Sequence, residues 1–202
     1  MQNSITVVLG KKGSGKSTLV GEIIKSNRRV VVLDALAEYD MKQGCTVLWE
    51  SDCVDAIVER YRSNRKFKLS CRCIEVEDNL ALMRVLYECP GILIAIEETS
   101  LYCSPSNLPS ELARLIRYGR HKELDLVLVS RRASELHRDI TANADNVVTF
   151  RQQEPRDIQY LKSFFGDDAL TLQNLPDYHI KVYGDMKKSQ SAVLERITKQ
   201  TP

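Results

Sequence analysis

An apolar run, Ile5-Thr6-Val7-Val8-Leu9, leads directly into Gly10-Lys11-Lys12-Gly13-Ser14-Gly15-Lys16-Ser17-Thr18, and from there into a stretch whose Leu19, Val20, Ile23 and Ile24 share one helical face. The spacing is GxxxxGK[ST] between a strand and a helix, the pattern of a phosphate-binding P-loop. Glycines let successive backbone N–H groups close around an anion, and the N-terminus of the following helix adds its partial positive charge. In such a loop Gly10, Gly13, Ser14, Gly15 and Thr18 form the cradle. Lys16 reaches the β- and γ-phosphates, and the Ser17 hydroxyl ligates Mg²⁺. ATP and Mg²⁺ are the ligands this predicts.

Along the rest of the chain, short β-branched runs alternate with amphipathic ones, as in βα units that feed a mostly parallel sheet. Strands are expected at Ile5 to Leu9, Val30 to Leu33, Ile92 to Ile96, Leu124 to Val129, Val147 to Phe150 and His179 to Tyr183, with extra ones near Thr46 to Trp49 and Phe67 to Ile74. Ile92-Leu93-Ile94-Ala95-Ile96 does not alternate, which marks a central strand covered on both faces. Helices are expected at Lys16 to Lys25, Asp52 to Tyr61 and Asn107 to Gly119. Ser134 and Pro155 mark two later helix starts, the second ending at Gly166. Between Ala35 and Cys89 the pattern is otherwise irregular. The fold class is α/β: one RecA-like domain over residues 1–184, its central sheet flanked by helices, followed by a polar tail over residues 185–202.

Composition narrows the partners. In 202 residues, 43% hydrophobic and with 29 Lys plus Arg against 27 Asp plus Glu, there is material for one full core and no overall charge bias. No apolar run reaches the ~18 residues of a membrane span, so direct membrane insertion is not expected. The start has no basic n-region, which predicts a chain that stays in a cytosol. The six cysteines there are expected as free thiols, with no CxxC pair among them, and three scattered histidines argue against structural zinc.

Two further strand ends carry chemistry. Ile92 to Ile96 runs into Glu97-Glu98, the hhhh[DE]E form of a Walker B strand. Glu97 at the tip is assigned to Mg²⁺ through a water. Glu98 is assigned to orienting and deprotonating the attacking water, the alternative being a solvated acidic pair. Leu124 to Val129 runs into Ser130-Arg131-Arg132, where Ser130 or Arg131 can sense a γ-phosphate if this strand lies between the other two. Arg114, Arg117, Arg120 and Lys122 on the preceding helix and its exit are too many for one nucleotide, and form either a basic surface or an interface. Arg60, Arg62, Arg65, Lys66, Lys68 and Arg72 run without an intervening acid, as a phosphate-tracking loop or as a solvated helix end. No aromatic platform is read among those charges, which argues against single-strand stacking recognition.

Taken with Arg117-Tyr118-Gly119-Arg120-His121, Leu128-Val129-Ser130-Arg131-Arg132 and Ala144-Asp145-Asn146-Val147 leading to Phe150-Arg151, these motifs resemble the FtsK–HerA superfamily of ATPases. Within it the chain resembles the small genome-packaging ATPases of tailless membrane-containing viruses, over about residues 4–183. The resemblance implies a homo-oligomeric ring around double-stranded DNA and an arginine supplied in trans, Arg120 or alternatively Arg117. It also implies a capsid or portal-vertex partner and a place in the host cytoplasm, transiently at the virion vertex. The family's polar residue at the end of the sensor strand, usually Gln, is Arg131 here. Two other classes fit a P-loop chain of this size, a nucleotide or nucleoside kinase and a nucleotide-gated assembly protein. Glu98 speaks against the kinase, which passes its phosphoryl group to a hydroxyl and needs no water-activating carboxylate there.

Overall fold

The computed structural model describes residues 3–40, 42, 44–49, 52–63 and 66–184. Arg65 and the proposed tail, 185–202, lie outside them. In chain order the elements are β1 (Ile5–Leu9), α1 (Lys16–Ser26), β2 (Arg29–Leu33), β3 (Thr46–Trp49), α2 (Cys53–Ser63), β4 (Phe67–Arg72) and α3 (Val76–Tyr87), then β5 (Leu93–Ile96), α4 (Ser110–Tyr118), β6 (Asp125–Ser130), α5 (Arg138–Ala142), β7 (Asn146–Thr149), α6 (Pro155–Phe165) and β8 (Lys181–Tyr183).

The strands make one sheet in the order β3-β4-β2-β5-β6-β1-β7-β8. Every neighbouring pair is parallel except β7 and β8. Because side chains alternate along a strand, the unbroken apolar runs supply two cores at once. On one face Val8, Val30, Val32, Ala95, Val127 and Val129 pack with Leu19, Val20, Ile23 and Ile24 of α1. On the other Val7, Val31, Ile94, Ile96, Leu126 and Leu128 pack with buried residues of α2, α3, α4, α5 and α6. A buried leucine or isoleucine at such a position contributes roughly 2–5 kcal/mol over alanine.

Several boundaries differ from the sequence reading, each for a local reason. α3 was not anticipated: its acidic first turn, Glu77 and Asp78, opens a helix that buries Leu82, Met83 and Leu86. β4 stops at Arg72, and Ile74 is exposed. α4 begins at Ser110 because Pro109 before it holds an extended backbone and disfavours helix at Leu108. Ser134 sits in a single 3-10 turn, Ala133–Glu135. The helix proper starts after His137, whose ring accepts the Asp139 amide at 3.2 Å.

Candidate nucleotide site

Parallel strands deliver their carboxyl ends to one edge of the sheet, and in open α/β folds that edge carries the ligand crevice. Here β6 lies between β1 and β5, so the P-loop, Ser130-Arg131 and Glu97-Glu98 arrive side by side at the tips of β1, β6 and β5. Residues of the loop, Glu97, Glu98 and Arg131 line a cavity of about 310 Å³ with Leu36, Glu38 and Tyr178. Ser130 is buried beside it, its hydroxyl donating to the Arg132 carbonyl at 3.2 Å, so of the two sensor candidates Arg131 is the one that reaches the cavity.

The loop is pinned by its neighbours. The Gly10 amide donates to the Ser130 carbonyl at 3.3 Å and the Lys11 amide to that of Arg151 at 3.4 Å. A Cβ on Gly10 would stand 2.7 Å from both Phe150 Cβ and Ser14 Oγ, so only glycine allows this close approach. Gly15, at φ 111°, turns the chain into α1 with no side-chain cap and no acid in the first turn, which leaves the helix amides facing the cavity. Lys16 Nζ donates to the carbonyls of Gly10 at 2.8 Å and Lys11 at 3.1 Å, arching over the loop. Burial lowers its pKa, while the nearby Glu97 and Glu98 carboxylates oppose that shift.

The two glutamates have different surroundings. Glu97 is 4% exposed, and its Oε1 accepts a hydrogen bond from the Tyr39 hydroxyl. Burial pushes its pKa up to about 7, against the Tyr39 bond and the charge of Lys16, which lower it. Glu98 follows in a left-handed backbone (φ 45°, ψ 57°), a conformation uncommon outside glycine and enriched at functional sites. That turn aims its carboxylate across to the next strand tip, where Oε2 meets Arg131 Nε at 2.9 Å and Oε1 accepts from Ser100 Oγ at 3.1 Å. Arg131 thus belongs to the cleft. Arg132 points away, to Asp157 at 3.3 Å and to Glu135 and Glu154.

Sequence reasoning missed the group that holds Glu97. Asp34, fully buried at the end of β2, accepts the amides of Glu38 at 2.8 Å and Tyr39 at 2.9 Å and the Ser70 hydroxyl at 2.7 Å. Those bonds fold residues 34–39 back so that Tyr39 reaches Glu97. An Asp five residues before a Tyr after an apolar run is the only local trace of this, and it is a weak one. Tyr178 was missed for a different reason: it approaches Gly15 from 163 positions away.

Arg117 and Arg120 stand elsewhere. Both precede β6, at the amino end of the sheet, where Asn3 Nδ2 donates to the Arg120 carbonyl at 2.8 Å. The length of β6, roughly 20 Å at ~3.3 Å per residue, separates them from their own P-loop. Arg117 is ion-paired with Asp139, and the Arg120 side chain is exposed. The basic run is also divided. Arg72 lies over the Trp49 ring, 5.4 Å from its centroid, and 4.0 Å from Asp34, whereas Lys66 and Lys68 sit at the other end of β4 near Lys25 and Arg28. Arg72 is therefore spent inside the fold and is removed from the expected phosphate-tracking loop.

The residues fit a nucleotide with Mg²⁺. Among the described residues Ser14 Oγ is buried with no hydrogen-bond partner, an orphan inside the loop that an anion would satisfy. No group of three or more His, Cys, Asp or Glu suited to a metal occurs among the described residues. Mg²⁺ does not need one, since it keeps several waters and takes one or two protein oxygens plus phosphates, which Ser17 and Glu97 could supply.

Fold and site together define a RecA-like α/β P-loop architecture with one strand inserted between the P-loop strand and the strand bearing the acidic pair. No protein-family model and no curated protein sequence matches the chain. Among solved structures it is similar to the genome packaging NTPase B204 from Sulfolobus turreted icosahedral virus 2 in complex with AMP, at 19% identity and a TM-score of 0.73 over 91% of this chain and 93% of that one. The DNA-packaging ATPase B204 from Sulfolobus turreted icosahedral virus matches at 19% and 0.68, over 93% of this chain and all of that one. VirB4 of Thermoanaerobacter pseudethanolicus matches at 11% and 0.60, over 94% and 91%. At these identities the likeness establishes the fold.

Proposed function

We propose that the chain is an Mg²⁺-dependent ATPase that handles DNA, working as a homo-oligomeric ring that moves double-stranded DNA into a viral capsid. The observation that carries the ATPase reading is the pairing of Glu98 with Arg131 on adjacent strand tips beside the P-loop. The terminal phosphate of a nucleoside triphosphate bound by the P-loop would then meet a carboxylate and a guanidinium. The packaging reading draws on the likeness to the viral packaging ATPases, whose own names state that role.

The residues divide the work as follows. The P-loop amides and Lys16 bind and orient the phosphates, and Ser17 with Glu97 would hold Mg²⁺, which would supply charge neutralisation for the phosphates. Tyr39 fixes the Glu97 carboxyl in place. Glu98 accepts the proton of the attacking water once Arg131 shifts from it toward the γ-phosphate. Arg120, or alternatively Arg117, acts on a neighbouring subunit, because the length of β6 keeps both from their own cleft. Arg60, Arg62, Lys66 and Lys68 are the described members of the basic run that remain as contacts for the duplex backbone, and a capsid or portal-vertex protein docks the ring. No helix among the described residues is long and apolar enough to cross a membrane. The packaging reading puts the motor in the host cytoplasm and transiently at the virion vertex.

The test is phosphate release from ATP with no acceptor present, with and without duplex DNA. Turnover that rises with DNA is expected. ADP formation only when a nucleoside or nucleotide acceptor is present, with the phosphoryl group on the acceptor and no free phosphate, identifies a kinase, and binding without turnover identifies a nucleotide-gated assembly protein.

A further inference from the structure

The cleft has two unlike ends. Glu97, Glu98 and Arg131 form one, at the tips of β5 and β6. Tyr178 forms the other, carried by the segment that enters β8 on the far side of β1. That segment is tied down around the ring. The Tyr178 amide donates to the Ser14 carbonyl of the P-loop at 3.1 Å, the His179 amide donates to the Pro176 carbonyl at 3.2 Å, and Asp177 is ion-paired with Arg151 just beyond β7. Tyr178 itself is held at φ 63°, a strained conformation for an aromatic residue. Its ring lies so close to Gly15 that a Cβ there would be 2.7 Å from Cδ1, yet the residue stays 42% exposed and lines the cavity. A buried tyrosine would need none of this. The constrained backbone holds the aromatic ring at the wall of the cleft.

We infer that Tyr178 is the platform on which the base of the bound nucleotide stacks. The inference rests on the nucleotide reading above and extends it to the other end of the ligand. With the terminal phosphate directed at Glu98 and Arg131, the order of atoms in a nucleoside triphosphate carries the sugar and base away from β5 and β6, past Gly15 and Thr18, to the side where Tyr178 stands. An aromatic face accepts any base by its π-surface, so the contact adds affinity without choosing between adenine and guanine.

Calorimetric titration of the full chain with Mg²⁺ and either ATPγS or inorganic tripolyphosphate separates the roles. Tyr178→Ala is expected to weaken ATPγS about tenfold or more, the range that base–aromatic stacking supports, and to leave tripolyphosphate unchanged. Tyr178→Phe, which keeps the face and drops the hydroxyl, is expected to bind both as the unaltered protein does. An equal loss for both ligands in Tyr178→Ala overturns the inference in favour of a ring that only braces the P-loop. Unchanged ATPγS affinity overturns it too, since the base then lies elsewhere. If the unaltered protein binds neither ligand, the nucleotide reading itself fails and takes this one with it, whereas tripolyphosphate binding as tight as ATPγS removes the base contact alone.

Discussion

Glu97→Gln should make the nucleotide-free protein more stable at pH 8 while abolishing Mg²⁺-dependent turnover. The magnitude follows from burial. Taking the carboxyl from an ordinary 4.5 to about 7 penalises the ionised form in the folded chain by about 3 kcal/mol, at ~1.4 kcal/mol per pKa unit. Because the folded value is the raised one, the folded state binds the extra proton. Stability is therefore greatest below pH 4.5 with respect to this group and falls as pH rises through 7, after which the full penalty applies. Glutamine has the same shape, cannot ionise, and still offers Tyr39 an oxygen to donate to. Urea denaturation without nucleotide or Mg²⁺, run for both proteins at pH 5 and pH 8, should show the variant gaining on the unaltered protein by up to about 3 kcal/mol between the two pH values. A stability difference that does not change with pH would falsify the argument that burial holds the Glu97 carboxyl above its ordinary value.

Three other outcomes can be checked directly. Glu98→Gln should retain Mg-ATP in a filter or calorimetric assay while phosphate release drops by orders of magnitude, since the amide cannot take the water's proton. Mixing Glu98→Gln with Arg120→Ala subunits, each inactive alone, should restore part of the ATPase activity, because some interfaces then join an intact Glu98 to an intact Arg120; a mixture that co-assembles and stays inactive removes Arg120 from the trans role. Leu128→Ala, at a fully buried site on the central strand β6, should cost about 2–5 kcal/mol in chemical denaturation, and a loss below 1 kcal/mol would contradict the two-faced core.

What could be read from the sequence was whatever short-range pattern encodes. The P-loop spans nine consecutive residues, and Ile92 to Ile96 declares a doubly covered strand by composition alone, so both were legible. α3 was not, although Leu82, Met83 and Leu86 have helical spacing, because the β-branched and cysteine-rich residues before it suggest that irregular strand structure continues. The antiparallel turn of β8 and the position of β6 between β1 and β5 are decided by pairing between distant segments, which periodicity does not report. Tyr39 and Tyr178 belong to the same category. Each matters because of what a loop brings it against, Glu97 in one case and Gly15 in the other, and neither lies in a pattern that a single sequence distinguishes from an ordinary surface tyrosine.

β6 joins two places that otherwise have no short connection. It is laddered on both sides, to β1 and to β5, so it cannot slide by a fraction of a residue without breaking two sets of bonds. Its one end carries Arg131, in the cleft of its own subunit, and the turn before its other end carries Arg120. A strand so confined behaves as a stiff rod that transmits tilt and little else. Whatever tilts the strand at the Arg131 tip is therefore felt at the turn bearing Arg120 as a change of angle.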